Sequence, residues 1–409
     1  MLHSGPLFYI FAFVRAAMAR PWQPFCINNH KRQRKMNKMF LGLSLLLCAQ
    51  TAAATDGNFT VKAELKNFGD TVVALIPQDN GYRRDTILVK NDRFNATLRL
   101  DEPKDIFLVS MGTLHRTERK RLNIIAVPGE TVELKGDLNS RYDIGGSRFY
   151  QQYGQFDREL EVAQKALQDF TESLSKRIEA GEERAKVMKE YEEKAPGFEQ
   201  KINDAIMGFV KSHPDWEAAA AAVTSLEGEK IEEAAKLLSA TVKAGRMKSY
   251  LQRAIDDYKK QAEAEAKSKA AQAAGVVAPD FTLNDIHGKP LSLSSLKGKY
   301  VLLDFWGSWC IWCIRGMPQM KEYYKKYAGK FEILGIDCND PEDKWKAAVK
   351  KHELPWLHVY NPKDSKVLSD YGVRGFPTKI LVGPDGKIVR TVVGEDPAFY
   401  QFMDETFGK

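Results

Sequence analysis

The run Tyr300-Val301-Leu302-Leu303-Asp304-Phe305-Trp306, then Gly307-Ser308-Trp309, then Cys310-Ile311-Trp312-Cys313, constrains this chain more than any other feature. A short, almost wholly apolar run bounded by Gly-Ser reads as a buried strand. A C-x-x-C that opens the following helix, inside a βαβ pattern, is a redox arrangement. The first thiol then sits at a helix N-terminus, where unpaired N–H groups and the helix dipole favour its thiolate. The second lies one turn further on, close enough to close a disulfide. The dipole supplies about 0.3–1 kcal/mol, so a strongly activated Cys310 needs further donors from the fold. The competing readings are a chance pair or half of a zinc site. A structural zinc site wants four ligands, and outside the leader only Cys338 offers another thiolate.

The pair lies in the last third of 409 residues, too many for one ordinary core, so two or three domains are expected. Residues 55–147 read as a β-rich domain: FTVKAEL, TVVALI, DTILV, FNATLRL, IFLVS, LNIIAV and TVELKG are separated by turn signals such as Asp79-Asn80-Gly81 and Pro128-Gly129-Glu130. Short strands so punctuated suggest an all-β sandwich or barrel. Residues 148–274 read as a helical region and linker, with Phe198, Ile202, Ile206, Phe209 and Val210 on one face. Pro196 and His213-Pro214 punctuate it, and the alanine-rich Tyr258–Gly275 stretch reads as a helical spacer or linker. No catalytic constellation stands out in either part, so structural or partner-binding roles are the plainer reading. Residues 275–409 alternate strand and helix, with hairpins at Asp285-Ile286-His287-Gly288 and Gly383-Pro384-Asp385-Gly386.

The N-terminus reads as a leader. Lys38 supplies a positive region, Phe40 to Leu47 an apolar core, and Ala52-Ala53-Ala54 a cleavage site, the layout of a secretory signal peptide. Translation is expected to start at Met36, with the preceding 35 residues an upstream extension. A lipid anchor at Cys48 is the alternative, but Leu47 directly before it fits poorly. The leader, residues 1–54, holds seven of the 61 basic residues and none of the 54 acidic ones. The remainder is balanced, so the net basicity is no nucleic-acid footprint. Export predicts the periplasm or cell envelope, and three remaining cysteines make a redox pair plus one rather than a disulfide framework.

VLLDFWGSWCIWC resembles the active-site strand and turn of the thioredoxin superfamily. Tyr371 to Thr378, YGVRGFPT, resembles the loop that carries the family's cis-proline, at Pro377, and Pro318 matches the proline of its active-site helix. The APDFTL opening and the insert between Asp337 and Tyr371 are similar to the TlpA/ResA-like envelope branch. The β-rich domain resembles one of unknown function that often precedes such domains. The resemblance implies a C-terminal α/β thioredoxin fold and a thiol-disulfide oxidoreductase. It implies Cys310 as nucleophile, Cys313 as resolving thiol, and Asp304 as the buried acid that exchanges a proton with Cys313. It also implies that Trp306 and Trp309 pack beside the disulfide and that Pro377 holds the Phe376 backbone against it. Trp309, Trp312, Phe376 and Thr378 are then the substrate-binding residues. The redox-active disulfide would be the cofactor, with no metal. Partners would be substrate proteins with disulfides and a membrane or envelope electron donor, not nucleic acid.

Three departures qualify this. Gly316 stands where envelope relatives carry a glutamate, which removes an acid–base group and shifts weight to Asp304. Ile333 stands where thioredoxin has the lysine that partners its buried aspartate, so that pair is expected to be missing. Ile311-Trp312 replaces the commoner proline-containing dipeptide. Cys338 reads as a small buried filler, with a regulatory thiol as the alternative. The leading function is reduction of envelope disulfides, as TlpA/ResA-like proteins usually serve as reductants, some for cytochrome c maturation. The alternatives are a disulfide oxidant or isomerase, a partner-binding protein that uses the last domain for docking, and a peroxidase. The usual peroxidase Thr-x-x-Cys is absent, since Gly307, Ser308 and Trp309 precede Cys310.

Overall fold

The structure is a computed structural model that describes residues 58–408. The signal peptide, the start at Met36 and the Cys48 anchor lie outside the described residues. The chain divides into two compact units between Tyr258 and Lys259.

The first unit contains β1 (Phe59–Lys66), β2 (Thr71–Gln78), β3 (Gly81–Leu88), β4 (Arg93–Leu98), β5 (Lys104–Ser110), α1 (Met111–Leu114), β6 (Arg121–Ala126), β7 (Thr131–Asp137) and β8 (Tyr142–Gly146). Then come α2 (Arg148–Glu179), α3 (Arg184–Ser212), α4 (Glu217–Val223), α5 (Lys230–Leu237), α6 (Ala240–Ala244) and the start of α7 (Lys248–Ala271). Its strands form two four-stranded sheets, β4-β1-β7-β8 and β3-β2-β5-β6. Alternation sets their faces: Phe59, Val61, Ala63 and Leu65 of β1 are buried while Lys62, Glu64 and Lys66 are exposed. The helices share this core, since Phe149, Phe156, Ile202, Phe209 and Ala218 to Ala222 belong to the same apolar cluster as the strands. The β-rich and helical stretches thus bury their apolar faces together. Pro196 does not end a segment but lies within α3. Val187, Tyr191 and Ala195 of that helix pack with Leu174 of α2, which holds the helix through the missing N–H.

The second unit contains β9 (Thr282–Asp285), β10 (Pro290–Ser292), β11 (Tyr300–Trp306), α8 (Ile311–Lys326), β12 (Phe331–Cys338), α9 (Glu342–Lys351), β13 (Leu357–Asn361), α10 (Val367–Asp370), β14 (Thr378–Val382), β15 (Ile388–Val393) and α11 (Pro397–Phe407). One seven-stranded sheet runs β10-β9-β13-β12-β11-β14-β15. It is the α/β thioredoxin fold expected, and the first unit supplies the expected β sheets and helices. Residues 259–271 continue α7, as the helical-spacer reading expects, and group with the second compact unit. Side chains around the end of the helix are tied in: Ser268 Oγ donates to Gly372 O at 2.6 Å, and Gln272 Nε2 donates to Tyr371 O at 3.0 Å.

β11 lies parallel to β12 and antiparallel to β14, so both of its edges are paired. Its residues serve two cores. Val301, Leu303 and Phe305 join the cluster on one face. Leu302 and Trp306 join the other, which also holds Cys310, Cys313, Met317 and Met320 of the α8 segment. By the two-residue period of a strand, Asp304 faces the same side as the cysteines. Among the described residues, no helix is long and apolar enough to cross a membrane.

Leu303 is fully buried in the central strand. We expect Leu303→Ala to destabilise this unit by about 2–5 kcal/mol. The check is the urea midpoint of its unfolding transition, and an unchanged midpoint would remove β11 as the backbone of the core.

Candidate active site

The redox pair is closed: Cys310 and Cys313 form a disulfide, with Cα atoms 5.3 Å apart. Cys310 is the N-cap of α8, and its Sγ accepts the Cys313 N–H at 3.1 Å. Cys313, Gly316, Met317 and Met320 are buried along one stripe of the helix, the spacing of a core-facing helix. Pro318 lies inside α8. The half-cystines themselves are 5% and 4% exposed.

An apolar rim surrounds them. Trp309, Ile311 and Trp312 are 52%, 51% and 44% exposed. Trp309 stands edge-on to Phe376, with ring centroids 5.3 Å apart, and its Nε1 donates to Cys338 O at 2.9 Å. The Arg315 guanidinium lies 5.0 Å from the Trp312 ring centroid. The Phe376–Pro377 peptide is cis. Trp306 is wholly buried in the cluster that holds both cysteines. Thr378 differs from its expected role. It is fully buried, its backbone pairs with β11 and β15, and its Oγ1 donates to Gly375 O at 2.7 Å. Its side chain is spent bracing the cis-proline turn and has no face for a substrate.

Asp304 is 3% exposed and its Oδ1 has no hydrogen-bond partner. Burial pushes its pKa up to about 6, with Lys379 pulling it down and Glu395 pushing it up. The expected absence of a lysine beside this aspartate is corrected here. Ile333 indeed packs in the apolar cluster, but Lys379 of β14 lies directly across from Asp304 in the strand register. Lys379 is buried and donates to Glu395 Oε1 at 2.6 Å. Gly316 brings no side chain of its own, as expected, but a Cβ there would collide with the Glu395 carboxylate. An acid thus occupies that space, delivered by the chain after β15 rather than by the helix.

A second network holds the turn before the disulfide. Asp340 accepts the Ser308 N–H at 2.6 Å and the Ser308 hydroxyl at 2.7 Å. Asp337 is fully buried beside Asp340. Burial, and then the neighbouring Asp340, push its pKa up to about 8. His358 is buried over Gly335, and burial pushes its pKa down to about 4, so it is neutral. Cys338 is buried and free, its thiol pushed up by burial.

Residues 274–391 match the AhpC/TSA family. The thiol-disulfide oxidoreductase ResA of Bacillus cereus is 41% identical over 122 residues, which cover 30% of this chain and 70% of that protein. ResA of Bacillus subtilis (strain 168) is 36% identical over 121 residues, 29% of this chain and 67% of that protein. The thioredoxin domain of a Bacteroides vulgatus thiol-disulfide oxidoreductase is 37% identical, covering 33% of this chain and 98% of its own at a TM-score of 0.31. Through its C-terminal unit the chain belongs to the ResA-like thiol-disulfide oxidoreductases, enzymes on a thioredoxin fold.

Asp337 yields a pH prediction. An unfolded aspartate titrates near 3.9, so the folded chain binds this proton more tightly. The stabilisation is full below about pH 4 and is lost as pH rises through about 8. Asp337→Asn should flatten that fall. Urea midpoints of both proteins across the range test it, and parallel curves would show that Asp337 is not the group titrating.

Proposed function

We propose that the enzyme is exported and reduces disulfides of envelope proteins through Cys310 and Cys313. The observation that carries this is a C-x-x-C disulfide at a helix N-terminus, rimmed by exposed aromatics and backed by a buried acid on the same face of the sheet. The leader pattern supports export, and the ResA relatives support thiol-disulfide exchange as the chemistry.

In the reduced enzyme, the Cys310 thiolate attacks one sulfur of a substrate disulfide. A Cys310–substrate bond forms, the substrate S–S bond breaks, and the first substrate sulfur leaves and takes up a proton. Cys313 then gives its proton to the Asp304 carboxylate and attacks the Cys310 sulfur. The Cys310–Cys313 bond forms, and the second substrate sulfur leaves and is protonated. Two electrons pass from the enzyme dithiol to the substrate, and an envelope electron donor restores the dithiol. The disulfide is the only cofactor this reading needs. Phe376, before cis-Pro377, packs against the cluster that holds both cysteines, and on this reading its backbone offers an edge with which an extended substrate can pair. Trp309, Trp312 and Phe376 supply the apolar contact. Thr378 acts behind them by bracing the turn.

Cys313→Ser should trap substrate proteins as mixed disulfides on Cys310, whereas Cys310→Ser should trap none and lose all reductase activity. Non-reducing gels of the envelope fraction check this, and equal trapping by both variants would refute the assigned order. The potential of the pair decides direction. A value of about −270 mV or lower supports a reductant, and one near −120 mV makes the enzyme an oxidant.

A further inference from the structure

A buried lysine near the disulfide and the partly exposed glutamate it pairs with have no part in the steps above. Lys379 is 2% exposed, and a buried lysine persists when its charge is met. The partner is Glu395, 2.6 Å away. The placement of Glu395 is built in. Gly394, at φ +87°, donates its N–H to Pro377 O at 2.7 Å, which ties the segment to the cis-proline turn. On the other side, Asp396 caps α11 by accepting the Ala398 N–H at 2.8 Å. Glu395 then enters the space that Gly316 leaves by having no side chain. Gly316 is three residues beyond Cys313, on the same helix face. Lys379 meanwhile is the cross-strand neighbour of Asp304, a pairing that brings Cβ atoms to about 4.5–5.5 Å.

We propose that the Lys379–Glu395 ion pair controls the proton that Asp304 exchanges with Cys313, with Lys379 acting across the strand pair and Glu395 standing over Gly316 one helical turn from Cys313. Both are positioning residues, and their role rests on the assignment of Asp304 given above. The two act with opposite sign: the cation favours the Asp304 carboxylate and the glutamate disfavours it. The pair holds Asp304 between the extremes of a lone buried acid, which would stay protonated, and an acid beside an unopposed lysine, which would stay ionised.

Other groups around Asp304 keep one state across that titration. Tyr400 of α11 and Tyr323 of α8 are both pushed up by burial, and so is the Cys338 thiol of β12. Asp337 of β12 titrates higher, at about 8, and His358 of β13 lower, at about 4. A break near pH 6 therefore belongs to Asp304.

The test is the carboxyl titration of Asp304 in the full chain, read by NMR with labelled aspartate, alongside the pH profile of disulfide reduction driven by dithiothreitol. Reduction should rise with pH through about 6 in the native protein, and Asp304→Asn should abolish that break. Glu395→Gln should move the break down by about one unit or more, and Lys379→Met should move it up by a similar amount. A loss of packing alone would not give shifts of opposite sign. Shifts of the same sign, or none, overturn the proposal. Glu395→Gln keeps the shape of a partly exposed side chain, so it decides alone if Lys379→Met does not fold. A native protein that reduces no disulfide would sink the reductase reading instead, and the NMR titration would still decide the role of the ion pair.

Discussion

Placing a carboxyl group in a buried central strand of the second unit is the costly act on which the site depends. Asp304 sits in β11 between Leu302 and Trp306, with a sheet neighbour on either side. An ionised carboxylate there loses its water without a full set of hydrogen bonds, and transfer of such a group to an apolar interior is strongly unfavourable. The strand tolerates it in two ways. The acid can hold its proton into the weakly acidic range, and a buried lysine faces it across β14. The second device creates a further buried charge, which Glu395 meets in turn. One unusual acid thus entails a lysine, a glutamate and a glycine, each on a different element.

The same logic shapes the approach to the disulfide. The turn Gly307-Ser308-Trp309 must leave the sheet and enter α8 with Cys310 at its tip. Asp340 fixes it by taking both donors of Ser308, and Trp309 fixes it again through Cys338 O. These bonds come from the end of β12, the parallel neighbour of β11. The topology puts ligands for the turn where the turn needs them, at the carboxyl ends of adjacent parallel strands.

What is legible in the sequence follows from how local each signal is. The strand, the C-x-x-C and the two hairpins are local, and each stands where the residue pattern places it. Asp304 is legible because a lone acid in an apolar run demands a reason. Lys379 is the same anomaly in TKILV, yet its meaning depends on register, since only the pairing of β11 with β14 sets it opposite Asp304. Glu395 lies 16 residues from Lys379, across a hairpin, and nothing in its surroundings marks it. Gly316 reads as a loss when it is compared position by position, and as room for Glu395 when it is seen in space. The first unit shows the same limit on a larger scale. Strands and helices are each readable, but their single shared core is a property of packing between distant segments. Thr378 marks the reverse error, in which proximity to a functional turn is mistaken for contact with what binds there.

Energetics bear on direction as well. The range from thioredoxin-like reductant to strong oxidant spans about 150 mV, or about 7 kcal/mol for two electrons. An oxidant reaches the upper end by stabilising its reduced form, chiefly as a Cys thiolate. At Cys310 the visible support for a thiolate is the helix N-terminus and the Cys313 N–H. A helix dipole contributes about 0.3–1 kcal/mol, and a hydrogen bond to a charged group about 1.5–3 kcal/mol. Together these fall short of the full span. Cys310 itself is nearly buried, beside the half-exposed Trp309, Trp312 and Ile311. The helix N-terminus and the Cys313 N–H therefore cover only part of the span, and the rest is set by groups that differ from one such pair to the next, so the potential of this pair and not its motif fixes the direction.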